Sequence, residues 1–154
     1  MNKNLFAKFE MLWWVITLVI LVIVILPLYS TADFYPFYKY NIIFVIVFIT
    51  LTRYIFFLKH TVLAHRMYLK TVVGFICIPF TFYLIKGLQE FQVYCDEIGL
   101  QEIYTSIDFE TQKMMIKYNK AEMFLFGTGS IIVTILFPMR MILSIWRNYN
   151  KGTV

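Results

Sequence analysis

Four long apolar segments constrain the fold of this chain more than any other feature of its sequence. A membrane-spanning helix needs roughly 20 apolar residues, within a range of about 17–25, and each segment has about that length. None alternates between apolar and polar residues as a membrane-spanning strand does, so helices are the predicted spanning elements. We therefore predict an all-α polytopic membrane protein with four transmembrane helices and a short helical extracytoplasmic cap between helices 3 and 4. The predicted spans are residues 11–29, 41–58, 71–88 and 123–146, and the cap lies within residues 89–121.

The overall composition supports a single membrane domain over residues 1–154. Hydrophobic residues make up 60% of the chain and charged residues 15%, against roughly 45–50% and 25% in soluble proteins. A soluble chain of this length could not bury that much apolar surface. The net charge of +5 is spread between the apolar segments. It therefore predicts an orientation in the membrane and not a nucleic-acid partner.

Lysine and arginine residues predict the orientation of the spans. They are concentrated before the first span, between the second and third, and after the fourth, whereas residues 30–40 contain only Lys39. Because cytoplasmic loops carry an excess of Lys and Arg, both termini and the connection from Lys59 to Lys70 are predicted to be cytoplasmic. Ser30-Thr31-Ala32 is similar to a signal-peptidase site. The preceding apolar run exceeds the ~7–15 residues of a signal-peptide core, so the first segment is predicted to be a retained span.

The connection over residues 89–121 is acidic in its first half and basic in its second. Apolar residues at helical spacing predict two short helices here, the second of which could continue into the fourth span. Gly99 is expected to end or bend the first helix, and Ser106 or Asp108 is expected to cap the second. The connection is therefore predicted to be a cap on the bundle and not a separate domain.

Two arginines, Arg53 and Arg140, lie inside the predicted spans. At ~1.5 Å of rise per residue, each lies about 9–10 Å from the cytoplasmic boundary. A long guanidinium side chain can reach lipid phosphates across most of that distance, so both could be headgroup anchors. The alternative is a paired cationic pocket for an anionic lipid or a partner's carboxylate, because ionisable residues within a membrane are functional candidates.

A basic segment follows the second span and supplies further candidates for contact with anionic lipids or a protein partner. His60 and His65 are five residues apart, so on a helix they point about 140° away from each other and predict no metal pair. His60 alone is a candidate proton-responsive group. A Lys or Arg near an anionic leaflet contributes ~1 kcal/mol to membrane binding. The predicted contact residues are Arg53, Lys59, His60, Arg66, Lys70, Arg140 and Arg147.

The fourth span carries a face of small residues formed by Gly127, Ser130 and Thr134. Small residues let helix backbones approach closely in a membrane. This face is predicted to pack within the bundle, with an oligomer or partner contact as the alternative. Glu10 and Glu122 are expected to flank spans and not to lie within them. Since proton-coupled carriers usually need a carboxylate at depth, this expectation counts against such a role.

No motif of a known enzyme class occurs in the chain. It has no glycine-rich phosphate loop, Gly-x-Ser-x-Gly elbow, Cys-x-x-Cys pair or His-Glu-x-x-His helix. Its two cysteines, Cys77 and Cys95, cannot form a disulfide framework. We therefore predict no catalytic residue, no cofactor and no metal ion, and a protein that is not an enzyme.

Three parts of the chain carry a resemblance to a known group of proteins. They are Arg53-Tyr54-Ile55-Phe56-Phe57-Leu58-Lys59-His60-Thr61, the pattern Phe91-Gln92-x-Tyr94-x-Asp96-Glu97-x-Gly99, and the C-terminal residues from Trp146-Arg147 to Lys151-Gly152-Thr153-Val154. Together with the order of the spans, they resemble a group of small four-span inner-membrane proteins of Bacteroidota-type bacteria. The resemblance covers nearly the whole chain. It implies the four-span fold and a location in a bacterial inner (plasma) membrane, but no activity and no residue roles.

Three classes of function are open to such a chain. The leading expectation is a non-enzymatic integral membrane subunit or scaffold of a bacterial cell-envelope complex, which docks partners through its helix faces and charged loop. The second is an oligomeric transporter or binder of an anionic lipid or small solute that uses Arg53 and Arg140. The third is a membrane enzyme acting on lipid-linked precursors, with His60 or cap carboxylates as acid or base. The expected partners are membrane lipids, anionic on the cytoplasmic side, and another protein or a second copy of the chain.

Overall fold

The computed structural model describes residues 3–58, 61 and 67–150 of the chain. Over these residues the fold is all-α, with four long helices and a short 3-10 helix between the third and the fourth. The helices are α1 (Lys3–Thr31), α2 (Tyr38–Phe57), α3 (Met67–Glu97) and α4 (Phe109–Tyr149), and the 3-10 helix is Leu100–Ile103.

All four helices are long and apolar enough to cross a membrane. Much of their surface is apolar and exposed: among its described side chains, α1 buries only Thr17, Val24 and Leu28. In water such a surface would cause association, whereas in a bilayer it faces lipid. The predicted all-α fold with four transmembrane helices is therefore confirmed, and the chain is a multi-pass membrane protein.

Helices α3 and α4 extend beyond the predicted third and fourth spans. Helix α3 continues through Pro79 to Glu97, and α4 begins at Phe109 and runs on through Pro138. The first predicted cap helix is therefore the last part of α3 and not a separate helix. The second is continuous with α4, which the sequence allows.

Gly99 and Asp108 set the two helix ends at the cap. Gly99 follows the last turn of α3 with a φ of +87°, a left-handed conformation that glycine adopts without steric cost. Asp108 is the N-cap of α4, and its carboxylate accepts a hydrogen bond from the Thr111 backbone N–H at 3.0 Å. Hydrogen bonds from Thr111 hold the pKa of Asp108 below its usual value. Both residues thus act as their sequence positions predict.

Helix α4 is the centre of the bundle, because α2 and α3 both pack along it. Helix α1 packs against α2 and α4 over a smaller surface. The main core includes Phe44 of α2, Leu84 and Phe91 of α3 and Met123 of α4, all fully buried. A second, smaller core cluster is formed by Leu58, Cys77, Phe137 and Met141.

Two connections lie side by side at one end of the bundle, which we call the cap end. Residues 32–37 join α1 to α2, and residues 98–108 join α3 to α4. The Asp33 carboxylate accepts hydrogen bonds from the backbone N–H groups of Thr105 and Ser106, at 3.0 and 3.1 Å, and from both hydroxyls. These bonds, led by the one from the Ser106 hydroxyl, lower the pKa of Asp33. They join the two connections into one unit.

Candidate functional site: two buried polar clusters

A cluster of five buried polar side chains lies at the cap end, and we call it the Glu122 network. The Tyr35 hydroxyl donates to Asn119 Oδ1 at 2.9 Å, and the Asn119 amide donates to the Tyr104 hydroxyl at 3.0 Å. Asn41 Nδ2 donates to Glu122 Oε1 and lies 3.5 Å from the Tyr35 hydroxyl. All five residues are at most 5% exposed. The network therefore joins α2 and α4 to both connections of the cap end.

Two oxygen atoms of the Glu122 network have no hydrogen-bond partner among the described residues. They are Oε2 of Glu122 and Oδ1 of Asn41. Within the same part of the chain, the ion pairs do not include Glu122. A buried carboxylate costs much free energy unless it is paired or neutralised. The charge state of Glu122 therefore decides what this site can do.

The two tyrosines of the network keep their phenolic protons at neutral pH. Burial raises the pKa of Tyr104 to about 12. Burial, together with the nearby Glu122 carboxyl, also raises the pKa of Tyr35. Neither phenol can serve as a base near pH 7, so their role in the network is to position the Asn119 amide between them.

Aromatic packing holds the connection over residues 32–37 against α3. The ring of Phe37 meets those of Phe91 and Tyr94 edge to face, with centroids 5.3 and 5.2 Å apart. Such pairs contribute about 0.5–1.5 kcal/mol each beyond the burial of area. The backbone that carries Tyr35 is therefore fixed by its neighbour in sequence as well as by the polar contacts.

The Glu10–Arg53 pair forms a second buried polar cluster, which joins α1 to α2. Arg53 Nη2 lies 2.5 Å from Glu10 Oε2, and the Arg53 side chain is 4% exposed. The guanidinium carbon also lies 5.7 and 5.2 Å from the ring centroids of Trp13 and Tyr54, close enough for cation–π attraction. Among the residues that the structure describes, Arg53 Nε and Glu10 Oε1 have no hydrogen-bond partner. The pair thus has ion-pair contact without complete hydrogen bonding.

The two arginines that the sequence singles out lie in different environments. Arg53 is directed to Glu10 inside the bundle, so its charge already has a partner in the folded chain. Arg140 is half-buried, and its Nε atom has no hydrogen-bond partner in the described part of the chain. Contact with an anionic lipid stays a prediction for both. An anion at Arg53 would have to compete with Glu10.

The other predicted contact residues are distributed between the interior and the surface. Lys70, in the first turns of α3, is 1% exposed, and its Nζ donates to Ser144 Oγ of α4 at 3.0 Å. Arg147 is exposed near the end of α4. Three more lie outside the described residues, so their roles stay predictions; they are Lys59, His60 and Arg66.

The small-residue face of α4 lies against α2 and α3. Gly127, Ser130 and Thr134 are all buried. A Cβ atom at Gly127 would lie 2.8 Å from Leu88 Cδ1 and 3.4 Å from Phe44 Cε2. The Ser130 hydroxyl donates to the Gly127 carbonyl at 2.8 Å, and the Thr134 hydroxyl donates to the Ser130 carbonyl at 2.6 Å. The polar atoms of this face are therefore satisfied within α4 itself.

Glu10 and Glu122 are the candidates that the sequence does not reveal. Both make buried contacts inside the bundle, which the sequence pattern does not indicate. Their position at the edges of the spans stays a prediction. A signal exists for Glu10, because a buried Arg53 requires an anionic partner. No comparable signal identifies Glu122, since Asn41 becomes its neighbour only when α2 and α4 pack.

The described residues do not form a metal-binding site. No three His, Cys, Asp or Glu side chains there lie close enough together to hold a metal ion. That the whole protein binds no metal and no cofactor and is not an enzyme stays a prediction. The alternative role of His60 in an enzyme is likewise untested.

The fold and the two clusters define a multi-pass α-helical membrane protein with buried ionisable groups in its bundle. No protein-family model, curated protein or solved structure matches the chain. Its function must therefore follow from the contacts and charges of the folded chain.

Proposed function

We propose that this protein is a non-enzymatic membrane subunit that docks other proteins of a bacterial cell envelope through its cap end and helix faces. This proposal rests on the hydrogen bonds that hold the cap end in one conformation. The Asp33 bonds and the Glu122 network hold both connections, and Gln112 of α4 donates to the carbonyls of Gln101 and Tyr104 at 3.2 and 2.9 Å. A surface fixed in advance loses little conformational entropy on binding, which favours docking.

The first turns of α4 add a basic stripe to this surface. Lys113, Lys117 and Lys120 are exposed and are spaced four and three residues apart, so they share one face of the helix. Charge complementarity selects partners and speeds their association. We infer that the partner presents an acidic segment to this stripe. Exposed carboxylates nearby in the chain, which add to the charge pattern, are Asp96, Glu97, Glu102 and Glu110.

The proposed location is the inner membrane of a bacterium, with both termini in the cytoplasm and the cap end outside. Lys8 and Arg147 are exposed on α1 and α4, far along each helix from the cap end. With Lys70 and Arg140, they give the end opposite the cap an excess of positive charge, as the positive-inside rule requires for a cytoplasmic side.

Photocrosslinking in living cells tests the docking proposal. A benzophenone amino acid at Lys113 should give a discrete adduct of higher mass, whereas the same probe at Lys8, exposed at the end of the bundle opposite the cap, should not give that adduct. With the probe at Lys113, Lys117→Glu should weaken the adduct because it reverses a charge on the stripe. Lys86→Glu is the matched control outside the stripe and should leave the adduct unchanged. Recovery of only the uncrosslinked chain from Lys113 would contradict the proposal.

Binding of an anionic lipid is a second candidate function, favoured by one observation. The buried Nε of Arg140 has no acceptor in the described residues. Arg147, seven residues later and exposed, lies near the same face of α4. A headgroup phosphate could accept hydrogen bonds from both guanidinium groups.

Analysis of the phospholipids that copurify in mild detergent tests this second candidate. Arg140→Gln should lower the anionic fraction, because it removes a phosphate donor. Lys117→Gln makes the same change of charge at the cap end and should have no effect. An unchanged anionic fraction in the Arg140 variant would remove the basis for a lipid site.

A further inference from the structure

The Glu122 network contains a carboxyl group that no described side chain balances in charge. Glu122 is 5% exposed; its Oε1 accepts from Asn41 Nδ2, and its Oε2 has no hydrogen-bond partner in this part of the chain. Asn41 is fully buried, and its Oδ1 is the other unpartnered oxygen of the network. A carboxylate in such surroundings must be neutralised by a cationic side chain, a bound cation or a proton.

Among the residues that the structure describes, no cationic side chain faces Glu122 from the elements packed around it. Helix α2 contributes Asn41, and the connections contribute Tyr35 and Tyr104. Lys120 lies on the same helix, but it is exposed. The titratable groups in electrostatic contact with the network are phenols and one thiol, which cannot supply a positive charge: Tyr35, Tyr38, Tyr104, Tyr118 and Cys95.

A metal cation fits this site poorly. Hard metal ions take about six or more oxygen ligands. Among the described residues, the network offers only two oxygens without a hydrogen-bond partner, those of Glu122 and Asn41. The Asn119 oxygen already accepts from the Tyr35 hydroxyl, and the Tyr104 hydroxyl already accepts from the Asn119 amide. A proton needs one oxygen, which Glu122 Oε2 supplies.

We infer that Glu122 binds a proton and is a neutral carboxylic acid in the folded protein. The O–H group lies on Oε2, while Oε1 accepts the hydrogen bond from Asn41. Loss of this proton places an unpaired charge beneath both connections of the cap end, and water must then enter to solvate it. Glu122 is therefore a proton-controlled link between the bundle and the cap end. This inference goes beyond the docking function and does not depend on any partner.

Infrared difference spectroscopy of the full chain, in vesicles of phosphatidylethanolamine and phosphatidylglycerol, distinguishes the two charge states. The wild-type spectrum minus that of Glu122→Gln, at neutral pH, should show the C=O stretch of a protonated carboxylic acid, shifted in deuterated water. Glu10→Gln is the matched control, because Glu10 lies beside Arg53 and should show only carboxylate bands. Carboxylate bands for Glu122 would overturn the inference. If these carboxylate bands shifted when sodium ions were added, Glu122 would belong to a cation site and not to a proton site.

A pH jump on the wild-type chain alone keeps the test independent of how well the variant folds. Alkaline buffer should remove a protonated-carboxyl band that is present at neutral pH. Absence of any such band in the neutral wild-type protein would overturn the proposal just as clearly.

Hydrogen exchange measures the link between Glu122 and the cap end. As the pH rises, amides of residues 100–105 should exchange progressively faster in the wild type than in Glu122→Gln. The ratio of the two exchange rates should grow by up to about tenfold for each pH unit between the titration of a solvent-exposed glutamate, at ~4.3, and that of Glu122 in the folded chain. The ratio should be constant in acid, where Glu122 holds its proton in the open and the closed cap, and a ratio that is constant at every pH would show that the proton does not control the cap.

Discussion

The same side chain, glutamate, has two opposite electrostatic settings in this bundle. Glu10 lies beside the Arg53 guanidinium, whereas Glu122 is surrounded by phenols and amides. A neighbouring cation favours the charged form of a carboxyl, and burial among neutral groups favours the uncharged form. One glutamate therefore joins α1 to α2 through an ion pair, and the other joins α4 to α2 through the hydrogen bond that it accepts from Asn41.

Glu10→Gln should destabilise the folded protein, because it leaves the Arg53 guanidinium buried without an anion. Loss of one partner of a buried pair costs about 3–5 kcal/mol, and because Glu10 is partly exposed we expect a cost near the lower value, about 3 kcal/mol. Thermal unfolding in mild detergent measures the change. Glu90→Gln is the control, since its Lys86 pair is solvent-exposed and contributes less than about 1 kcal/mol. Equal losses in the two variants would show that the buried pair does not stabilise α1 on α2.

Tyr104 should make the protein lose stability in alkaline solution. Its pKa is raised to about 12 by burial, while an unfolded tyrosine titrates near ~10. The folded state therefore holds this proton more tightly. The resulting stability is complete below the unfolded pKa and is lost as the pH rises towards the folded pKa. As the pH is raised from the unfolded pKa to the folded pKa, the free energy of unfolding should fall less in Tyr104→Phe than in the wild type. A phenolate signal from Tyr104 near its ordinary pKa in the folded protein would contradict this.

At the scale of helices, features local in sequence are predictable and those created by packing are not. Apolar runs and the signals at Gly99 and Asp108 depend on neighbouring residues, so they correctly indicate four helices able to cross a membrane and the start of α4. The extension of α3 beyond its apolar run depends on tertiary contact: Phe91 lies past the predicted span and is fully buried. The contact of Asn41 with Glu122 likewise depends on the register between α2 and α4, which no local pattern specifies.

Two glycines in the bundle should respond in opposite directions to replacement by alanine. A Cβ atom at Gly129 would lie 2.7 Å from two ring atoms of Phe48, so Gly129→Ala should cost about 1–3 kcal/mol through overpacking. At Gly74 the nearest atom is Pro138 Cβ at 4.0 Å. Gly74→Ala should therefore stabilise α3 by up to about 1 kcal/mol, because alanine favours the helix. Thermal unfolding of both variants in one detergent checks the prediction. If the unfolding temperature changed in the same direction in both variants, the α2–α4 contact would not be close-packed.

At the scale of the whole molecule, charged groups are sorted along the axis of the bundle. The cap end carries both signs of charge on a surface fixed by the Asp33 bonds and the Glu122 network. The opposite end carries an excess of positive charge, to which Lys8 and Arg147 contribute. An excess of Lys and Arg marks the cytoplasmic side of a membrane protein. In the orientation that we propose, this asymmetry places the cap end, with its proposed docking surface, outside the cytoplasm.

Cysteine labelling checks this orientation. In a chain with Cys77 and Cys95 replaced by alanine, Lys117→Cys and Arg147→Cys each introduce one exposed thiol, at opposite ends of α4. A maleimide that cannot cross the inner membrane should label position 117 in intact cells and position 147 only after permeabilisation, because α4 crosses the bilayer between them. Labelling of both positions in intact cells would contradict the span between them. The reversed pattern would place the basic stripe of α4 in the cytoplasm, so that an acidic partner would have to be sought there.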